Sequence, residues 1–307
     1  MKRTTKEIAG LLIDSLWNQY IERVPYAKQY VDLVNQKGGK VVIDHIAFRT
    51  FNAHTGEQPE GIRAIRHILN FLEYKPVTKY SFPKKKLNAV HFEHADETFP
   101  KIFVSQLEVS ELPEWAQKMI GSAIIGTLYL LTDKSIELLR ILEETGVLPS
   151  EAADYLVNDL VHYFRRPWNI PLKDDVLKIN DVSQYGAWVL LHGNSVNHFA
   201  VLINNQGVKE WPDLESTSNA LAAAGMPLNG KIEGESSGKL QQTATFAVKE
   251  EVKVKGETGI EKMVWTYAYF ELAQRNFIEE NGSQKLFSGF LGEQANHLFD
   301  MTQTLDN

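Results

Sequence analysis

Residues 42–51 combine a histidine and an arginine in a stretch that is otherwise mostly apolar or β-branched. This pattern predicts a short buried strand, with Asp44, His45 and Arg49 as its polar exceptions. Side chains two residues apart on a strand share a face, so His45 and Arg49 point the same way, roughly 13 Å apart along the backbone. An imidazole that can hold a metal ion therefore lies beside a guanidinium that can reach what the metal holds.

A second histidine and a carboxylate occur in comparable surroundings further along the chain. His198 falls in a strand predicted over Gln184–Ile203, and Glu271 falls in an aromatic and apolar strand predicted over Met263–Arg275. A carboxylate is expensive to bury unless it is paired or binds a metal. Together with His45, these residues would make a two-histidine, one-carboxylate facial triad. Such a triad leaves three positions of an octahedral ion open for a bidentate 2-oxo acid and dioxygen.

The residue types leave alternatives open. Zinc also accepts two histidines and a glutamate, so the sequence does not choose between Fe(II) and Zn(II). His45 and His198 could instead be hydrogen-bonded core histidines, with Glu271 paired to Arg275 or to another base. Arg275 lies four residues after Glu271 and shares its face, as Arg49 does with His45, which makes Arg275 a further candidate for substrate binding.

A weak internal repeat relates the two histidines. Asp44-His45-Ile46-Ala47 is followed by a predicted helix and then Pro76, and Asn197-His198-Phe199-Ala200 by a predicted helix and then Pro227. The separations from histidine to proline are 76 − 45 = 31 and 227 − 198 = 29. Repeats of this length set the architecture. We therefore predict an α+β fold of paired βαβββ modules, whose curved sheets surround a metal cavity, with N-terminal helices and a helical insertion.

The whole chain, 1–307, is predicted to be a single catalytic domain. Its predicted sub-parts are N-terminal helices in 1–40, a first β-rich module in 41–112, a helical insertion in 113–180, a second β-rich module in 181–275 and a C-terminal tail in 276–307.

Composition excludes several classes of function. The formal net charge of −7 argues against a nucleic-acid partner, which would require a basic excess. The absence of cysteine excludes disulfides, thiolate zinc sites and cysteine nucleophiles. No signal-peptide pattern and no long apolar run is present, so we expect a cytoplasmic protein with no membrane partner. The oligomeric state is left open.

Several blocks of the sequence, in the same order, resemble the bacterial 2-oxoadipate dioxygenase/decarboxylase family. The resemblance extends over roughly residues 40–275 and is carried by residues 44–50, 101–107, 166–168, 183–190 and 196–199. Residues 269–275 also resemble the strand that carries the iron-binding glutamate in 4-hydroxyphenylpyruvate dioxygenase. That enzyme belongs to the vicinal oxygen chelate class, which is built from paired βαβββ modules.

The resemblance implies an iron enzyme. Family members bind Fe(II) through residues that correspond to His45, His198 and Glu271, and Arg49 matches a catalytic, substrate-binding arginine. The implied reaction converts 2-oxoadipate and O2 to 2-hydroxyglutarate and CO2 in lysine breakdown. By this resemblance the chain looks like a shorter member with different loops, so the exact 2-oxo acid stays open. The alternatives are a glyoxalase-like zinc or nickel lyase or isomerase, and a non-catalytic protein of the same fold that binds a small acid.

Overall fold

The computed structural model describes residues 1–57, 59–280, 282–292 and 299–302, which form an α+β fold. The α-helices of these ranges are α1 (Thr5–Arg23), α2 (Pro25–Gln36), α3 (Gly61–Phe71), α4 (Glu114–Ile124), α5 (Asp133–Thr145), α6 (Ser150–Tyr163), α7 (Lys173–Val182), α8 (Gln184–His192) and α9 (Leu214–Ala223). The strands are β1 (Lys2–Thr4), β2 (Ile43–Asn52), β3 (Tyr74–Phe82), β4 (Leu87–His94), β5 (Lys101–Glu108), β6 (Val147–Pro149), β7 (Val196–Leu202), β8 (Leu240–Ala244), β9 (Lys249–Gly256), β10 (Gly259–Thr266), β11 (Tyr269–Arg275), β12 (Phe277–Glu280) and β13 (Ser283–Leu286).

Seven strands form one curled mixed sheet in the order β3-β4-β5-β2-β7-β11-β8. At its centre β2 and β7 run antiparallel, and each has a parallel neighbour, β5 beside β2 and β11 beside β7. Both central strands are buried along nearly their whole length, as expected for strands covered on both faces. The two halves of the chain therefore join edge to edge into a single sheet, where the repeat had predicted paired sheets.

Each half of the sheet begins with one of the two histidine strands. The first half has the order β2, α3, β3, β4, β5. The second half begins with β7 and α9 and ends with β8 and β11, but one strand is reduced to the isolated bridges Leu228 to Thr245 and Glu233 to Gln242. The hairpin of β9 and β10 is inserted between β8 and β11 and pairs outside the seven-stranded sheet. It follows that β2 and β7 occupy equivalent places in the two halves.

The strand predicted over Gln184–Ile203 is wrong in its first part, which forms the helix α8. A helix that is buried on all sides carries apolar residues all round, so periodicity cannot distinguish it from a buried strand. Its start is fixed by the Ser183 side chain, which accepts a hydrogen bond from the Gly186 backbone N at 3.0 Å. Its end is fixed by Gly193, whose φ of +64° favours glycine. The strand is limited to β7, which retains His198.

The strand predicted over Met263–Arg275 is divided in two. Its first part, β10, belongs to the inserted hairpin, and its second part, β11, belongs to the main sheet. Between them, the Tyr267 backbone N donates to the Val248 carbonyl at 2.8 Å, and the Val248 N donates to the Ala268 carbonyl at 2.8 Å. Glu271 therefore lies on a short strand next to β7, where it can reach the two histidines.

The helices surround this sheet. α1 packs on β7, with the ring of Tyr20 4.9 Å from the ring of Phe199. α4 to α7 lie between β5 and α8 in the chain, where the insertion was predicted. No helix of the described ranges is long and apolar enough to cross a membrane. The division of the chain into sub-parts and the cytoplasmic location stay predictions.

Candidate metal centre

The three predicted ligands converge from three neighbouring strands. His45 lies on β2, His198 on β7 and Glu271 on β11, and all three side chains are buried. Their possible ligand atoms all lie within 4.8 Å of one another. The two Nε2 atoms are 3.2 Å apart, and the carboxylate oxygens lie 3.5 Å from the Nε2 of His45 and 3.4 Å from that of His198. The structure thus brings together the residues that the sequence proposed.

The side chains beside the two imidazoles favour tautomers whose Nε2 atoms are electron-pair donors. His45 Nδ1 lies 2.7 Å from Asp44 Oδ1, and His198 Nδ1 lies 3.1 Å from Asn197 Oδ1. An oxygen acceptor favours the tautomer that carries its proton on Nδ1, which leaves a lone pair on each Nε2. Glu271 Oε2 faces the same point and has no hydrogen-bond partner among the described residues. Two imidazoles and a carboxylate that meet at one point offer three electron-pair donors to a cation, and the buried triad therefore suggests a metal site.

The contacts of Asp44 and Asn197 depend on irregularities in the pairing of β2 with β7. The ladder skips Asp44 on β2 and Asn197 on β7. A bulge of this kind bends the strand and redirects a side chain, and bulges are frequent beside active sites. These two residues were missed as part of the site by sequence reasoning. The available signal was a polar residue immediately before each histidine in an otherwise apolar strand.

Burial disfavours the charged form of the Glu271 carboxylate. Burial raises the pKa of Glu271 to about 7, and the attraction of His45 and a hydrogen bond from Gln242 Nε2 to Oε1 oppose only part of that rise. Burial also lowers the pKa of His198 well below its usual range, and the neighbouring His45 and Arg49 lower it further. A divalent cation would supply the positive charge that this carboxylate lacks.

This electrostatic situation predicts how the stability of protein stripped of metal by a chelator depends on pH. Because the folded-state pKa of Glu271 lies above its ordinary value, the folded state binds more protons, and stability falls as pH rises toward 7. The buried His192 and His198, whose pKa values are lowered, give the opposite slope below about 6.5. The contribution of Glu271 is therefore obtained by comparing the free energy of unfolding of the wild type with that of Glu271→Gln at each pH. We expect the free energy of unfolding of the wild type to fall by roughly 2 kcal/mol relative to that of the variant between pH 5 and pH 8. Urea unfolding at a series of pH values measures this difference. Parallel pH profiles of the two proteins would contradict the raised pKa.

A cavity is lined by His45 and His198, and Arg49 forms part of its wall. Arg49 is 1% exposed, and its guanidinium lies 4.9 Å from the ring centre of Tyr185 and 5.3 Å from that of Trp188. It donates to Thr302 Oγ1 at 2.7 Å and to the Phe299 carbonyl at 3.2 Å. No described carboxylate lies within salt-bridge distance of it. Two of its five N–H groups are directed to neutral oxygens, and its positive charge is not paired with a described carboxylate. Arg49 can therefore bind an anionic ligand by donating further hydrogen bonds.

Arg275 has different partners from those predicted. Its Nε donates to Asp44 Oδ2 at 2.6 Å and its Nη2 to Asp44 Oδ1 at 2.8 Å. Its Nη1 donates to the carbonyls of Phe287 and Gly289, at 3.0 Å and 2.7 Å. Although burial alone would raise the pKa of Asp44, this guanidinium and His45 hold it well below its usual range. These contacts favour a structural role for Arg275 over the predicted binding of substrate.

Comparisons with known proteins agree with this site. A protein-family model described as 2-oxoadipate dioxygenase/decarboxylase matches residues 12–306. The chloroplastic/amyloplastic 2-oxoadipate dioxygenase/decarboxylase of Oryza sativa is 26% identical over 251 residues, which cover 77% of this chain and 61% of the rice protein. The chloroplastic protein of that name from Arabidopsis thaliana is 24% identical over 271 residues, covering 83% of this chain and 65% of the relative. The chain thus spans less than two thirds of the length of either relative.

Solved structures share the fold. A protein assigned to the glyoxalase superfamily from Ralstonia eutropha JMP134 superposes with a TM-score of 0.85 at 28% identity, covering 94% of this chain and 87% of its own. The hydroxyglutarate synthase of Oryza sativa, crystallised with 2-oxoadipate, gives a TM-score of 0.72 at 22% identity, covering 95% of this chain and 91% of its own. The second similarity concerns the fold alone.

Proposed function

Because the chain belongs to the 2-oxoadipate dioxygenase/decarboxylase family, we propose that it is a non-haem iron(II) enzyme. It converts a 2-oxo acid and O2 to the shortened 2-hydroxy acid and CO2. The first candidate substrate is 2-oxoadipate, which would give 2-hydroxyglutarate as a step in lysine breakdown. The two halves of the sheet would correspond to the paired βαβββ modules of the vicinal oxygen chelate class. Since the chain matches only 61% and 65% of its two plant relatives, the substrate belongs to the proposal and is not inherited from them.

One observation carries the proposal: the side chains of two histidines and a glutamate meet beside a cavity that contains a buried arginine without a carboxylate partner among the described residues. His45, His198 and Glu271 would hold one face of the metal ion. Arg49 would hold a carboxylate of the substrate on the open side. A site that combines a metal ion with an anion-binding guanidinium suits a small acid.

The symmetry of the sheet supports a set of three protein ligands. On β11, Glu271 pairs with Ala200, two residues after His198. The equivalent position on β5 pairs with Ala47, two residues after His45, and is occupied by Phe103. Phe103 lines the cavity and offers no ligand atom. The first half of the sheet therefore supplies an apolar wall at the position where the second half supplies Glu271.

The residues of the chain would perform three tasks in this reaction. Bound iron(II) supplies a Lewis acid and a source of electrons at which a 2-oxo acid and O2 are held together. Arg49 orients the acid through charge-assisted hydrogen bonds. Apolar wall residues, Phe103 and Phe290 among them, keep water from the reacting groups. The atoms balance, because one oxygen atom of O2 enters the new carboxylate and the other the hydroxyl group, while the original carboxyl group leaves as CO2.

Oxygen uptake is the direct test of this function. Protein loaded anaerobically with Fe(II) is expected to consume O2 and release CO2 in equal amounts with at least one member of a panel of 2-oxo acids that includes 2-oxoadipate. Protein loaded with Zn(II) is the matched control and is expected to give no uptake, since zinc has no redox chemistry. Turnover of a 2-oxo compound without O2 would favour a lyase or isomerase. Flat oxygen traces across the panel would rule out the proposed reaction.

A further inference from the structure

The two histidines of the metal centre have unequal partners. They occupy equivalent strands, and each is preceded by a residue that the β2–β7 ladder skips. Before His45 this residue is Asp44, whose carboxylate oxygen Oδ1 lies 2.7 Å from His45 Nδ1. Before His198 it is Asn197, whose amide oxygen Oδ1 lies 3.1 Å from His198 Nδ1. A carboxylate accepts the Nδ1 proton more strongly than a neutral amide does, because the hydrogen bond is charge-assisted. The two imidazoles therefore differ in how firmly they are oriented and in how basic their inner nitrogens are.

Asp44 is itself held by Arg275, which lies two strands away on β11. Two N–H groups of the guanidinium meet the two oxygens of this carboxylate, and both side chains are almost completely buried. The net stability gained from a buried ion pair is small, since apolar residues of similar volume often do as well. Stability alone therefore does not account for a charged pair at this place.

The remaining contacts of Arg275 connect the metal centre to the wall of the cavity. Its Nη1 holds the carbonyls of Phe287 and Gly289 at 3.0 Å and 2.7 Å. The ring of Phe290, which lines the cavity, lies 5.3 Å from the guanidinium carbon and 4.9 Å from the ring of His45. A single side chain thus fixes both the partner of a metal ligand and the segment that packs against that ligand.

We propose that Asp44 and Arg275 are positioning residues of the metal centre, which make His45 the more firmly oriented and more strongly donating of the two imidazoles. The inference rests on the metal centre of the proposed function, but it does not depend on which 2-oxo acid reacts. It assigns to Arg275 a role in holding the metal rather than the substrate. It also means that His45 and His198 bind the metal with unequal strength, although they occupy equivalent strands.

The test uses Co(II) as a probe of the metal centre, because its affinity and its absorption spectrum can be measured without turnover. Asp44→Asn gives His45 the same kind of partner that His198 has. We expect this variant to bind Co(II) about 10–100-fold more weakly than the wild type and to show a shifted visible absorption band. The matched control is Asp96→Asn, which removes a partly buried carboxylate that pairs with Lys6 away from the metal centre and is expected to change neither quantity.

A second variant keeps the test valid if Asp44→Asn folds poorly with Arg275 left unpaired. The double variant Asp44→Asn, Arg275→Met removes both charges, which leaves no uncompensated ion in the interior. It is expected to fold, as judged by near-ultraviolet circular dichroism, and to show the same weakened binding and shifted band. Wild-type affinity and spectrum in a folded variant would overturn the positioning role and leave the proposed function standing. A wild type that fails to bind Co(II) would overturn the metal centre itself.

Discussion

The Glu271→Gln variant is expected to bind iron(II) more than about 100-fold more weakly than the wild type and to show no oxygen uptake with 2-oxo acids. Loss of a group that only hydrogen-bonds a metal ligand costs about 10–100-fold in affinity, and loss of an anionic ligand costs more. Glu271 is the anionic member of the cluster of three, because the other two members, His45 and His198, are imidazoles. Iron affinity is measured by competition with a chromophoric chelator, and uptake with an oxygen electrode.

The same substitution is expected to stabilise the metal-free protein at pH 8. Gln242 Nε2 donates to Glu271 Oε1, so the carbonyl of a glutamine at this position would accept that hydrogen bond. Its NH2 group would then face the Nε2 lone pairs of His45 and His198 and could donate to them. A hydrogen-bonded amide avoids the desolvation that burial imposes on a carboxylate. We expect a gain of roughly 2 kcal/mol in the free energy of unfolding, so metal binding and stability change in opposite directions.

Glu108→Gln is the matched control for this experiment. Glu108 is a buried carboxylate on β5 that accepts a hydrogen bond from Asn88 Nδ2 at 2.8 Å, and it does not line the cavity. Its replacement makes the same chemical change in the same sheet and is expected to leave iron affinity unchanged. Iron affinity at the wild-type level in Glu271→Gln would show that this carboxylate is not a ligand.

The ligands could be predicted from the sequence because polar side chains interrupted apolar strands. His45 lies in the buried strand β2, His198 in β7 and Glu271 in β11, and a buried polar group needs a partner. The repeated histidine-to-proline spacing further indicated that two of these strands are equivalent. Local pattern and the energetic cost of burial therefore made these three side chains candidates. The resemblance to the family selected them from the alternatives that the residue types left open.

The surroundings of the ligands could not be predicted in the same way. The contact between Asp44 and Arg275 depends on β2 and β11 being separated by one strand, and this order comes from long-range pairing that the local pattern does not contain. Residues 184–192 form a helix because tertiary packing buries all of its faces, where the pattern suited a strand equally well. Charge and spacing alone had therefore assigned Arg275 to the substrate, although its donors are directed to Asp44 and to a neighbouring loop.

Arg49→Lys is expected to lower kcat/KM for the 2-oxo acid about 10–100-fold while iron affinity stays unchanged. A hydrogen bond to a charged group contributes about 1.5–3 kcal/mol, and lysine cannot reproduce the two-pronged geometry of a guanidinium on a carboxylate. Lysine also loses the stacking of Arg49 near Tyr185 and Trp188. The matched control is Arg23→Lys, since Arg23 stacks 3.5 Å from the ring centre of Tyr267 and pairs with Glu250 outside the cavity. Unchanged KM and kcat in Arg49→Lys would remove the substrate-binding role.

A pair of substrates shows which carboxylate Arg49 holds. 2-Oxoadipate carries a distal carboxylate, and 2-oxohexanoate has the same chain length without it. If Arg49 binds the distal group, Arg49→Lys abolishes the preference of the wild type for 2-oxoadipate and leaves 2-oxohexanoate turnover almost unchanged. If Arg49 binds the carboxyl group beside the keto carbon, both substrates lose the same factor, because both present that group to the metal. The ratio of the two kcat/KM values therefore locates the guanidinium on the substrate independently of any general loss of activity.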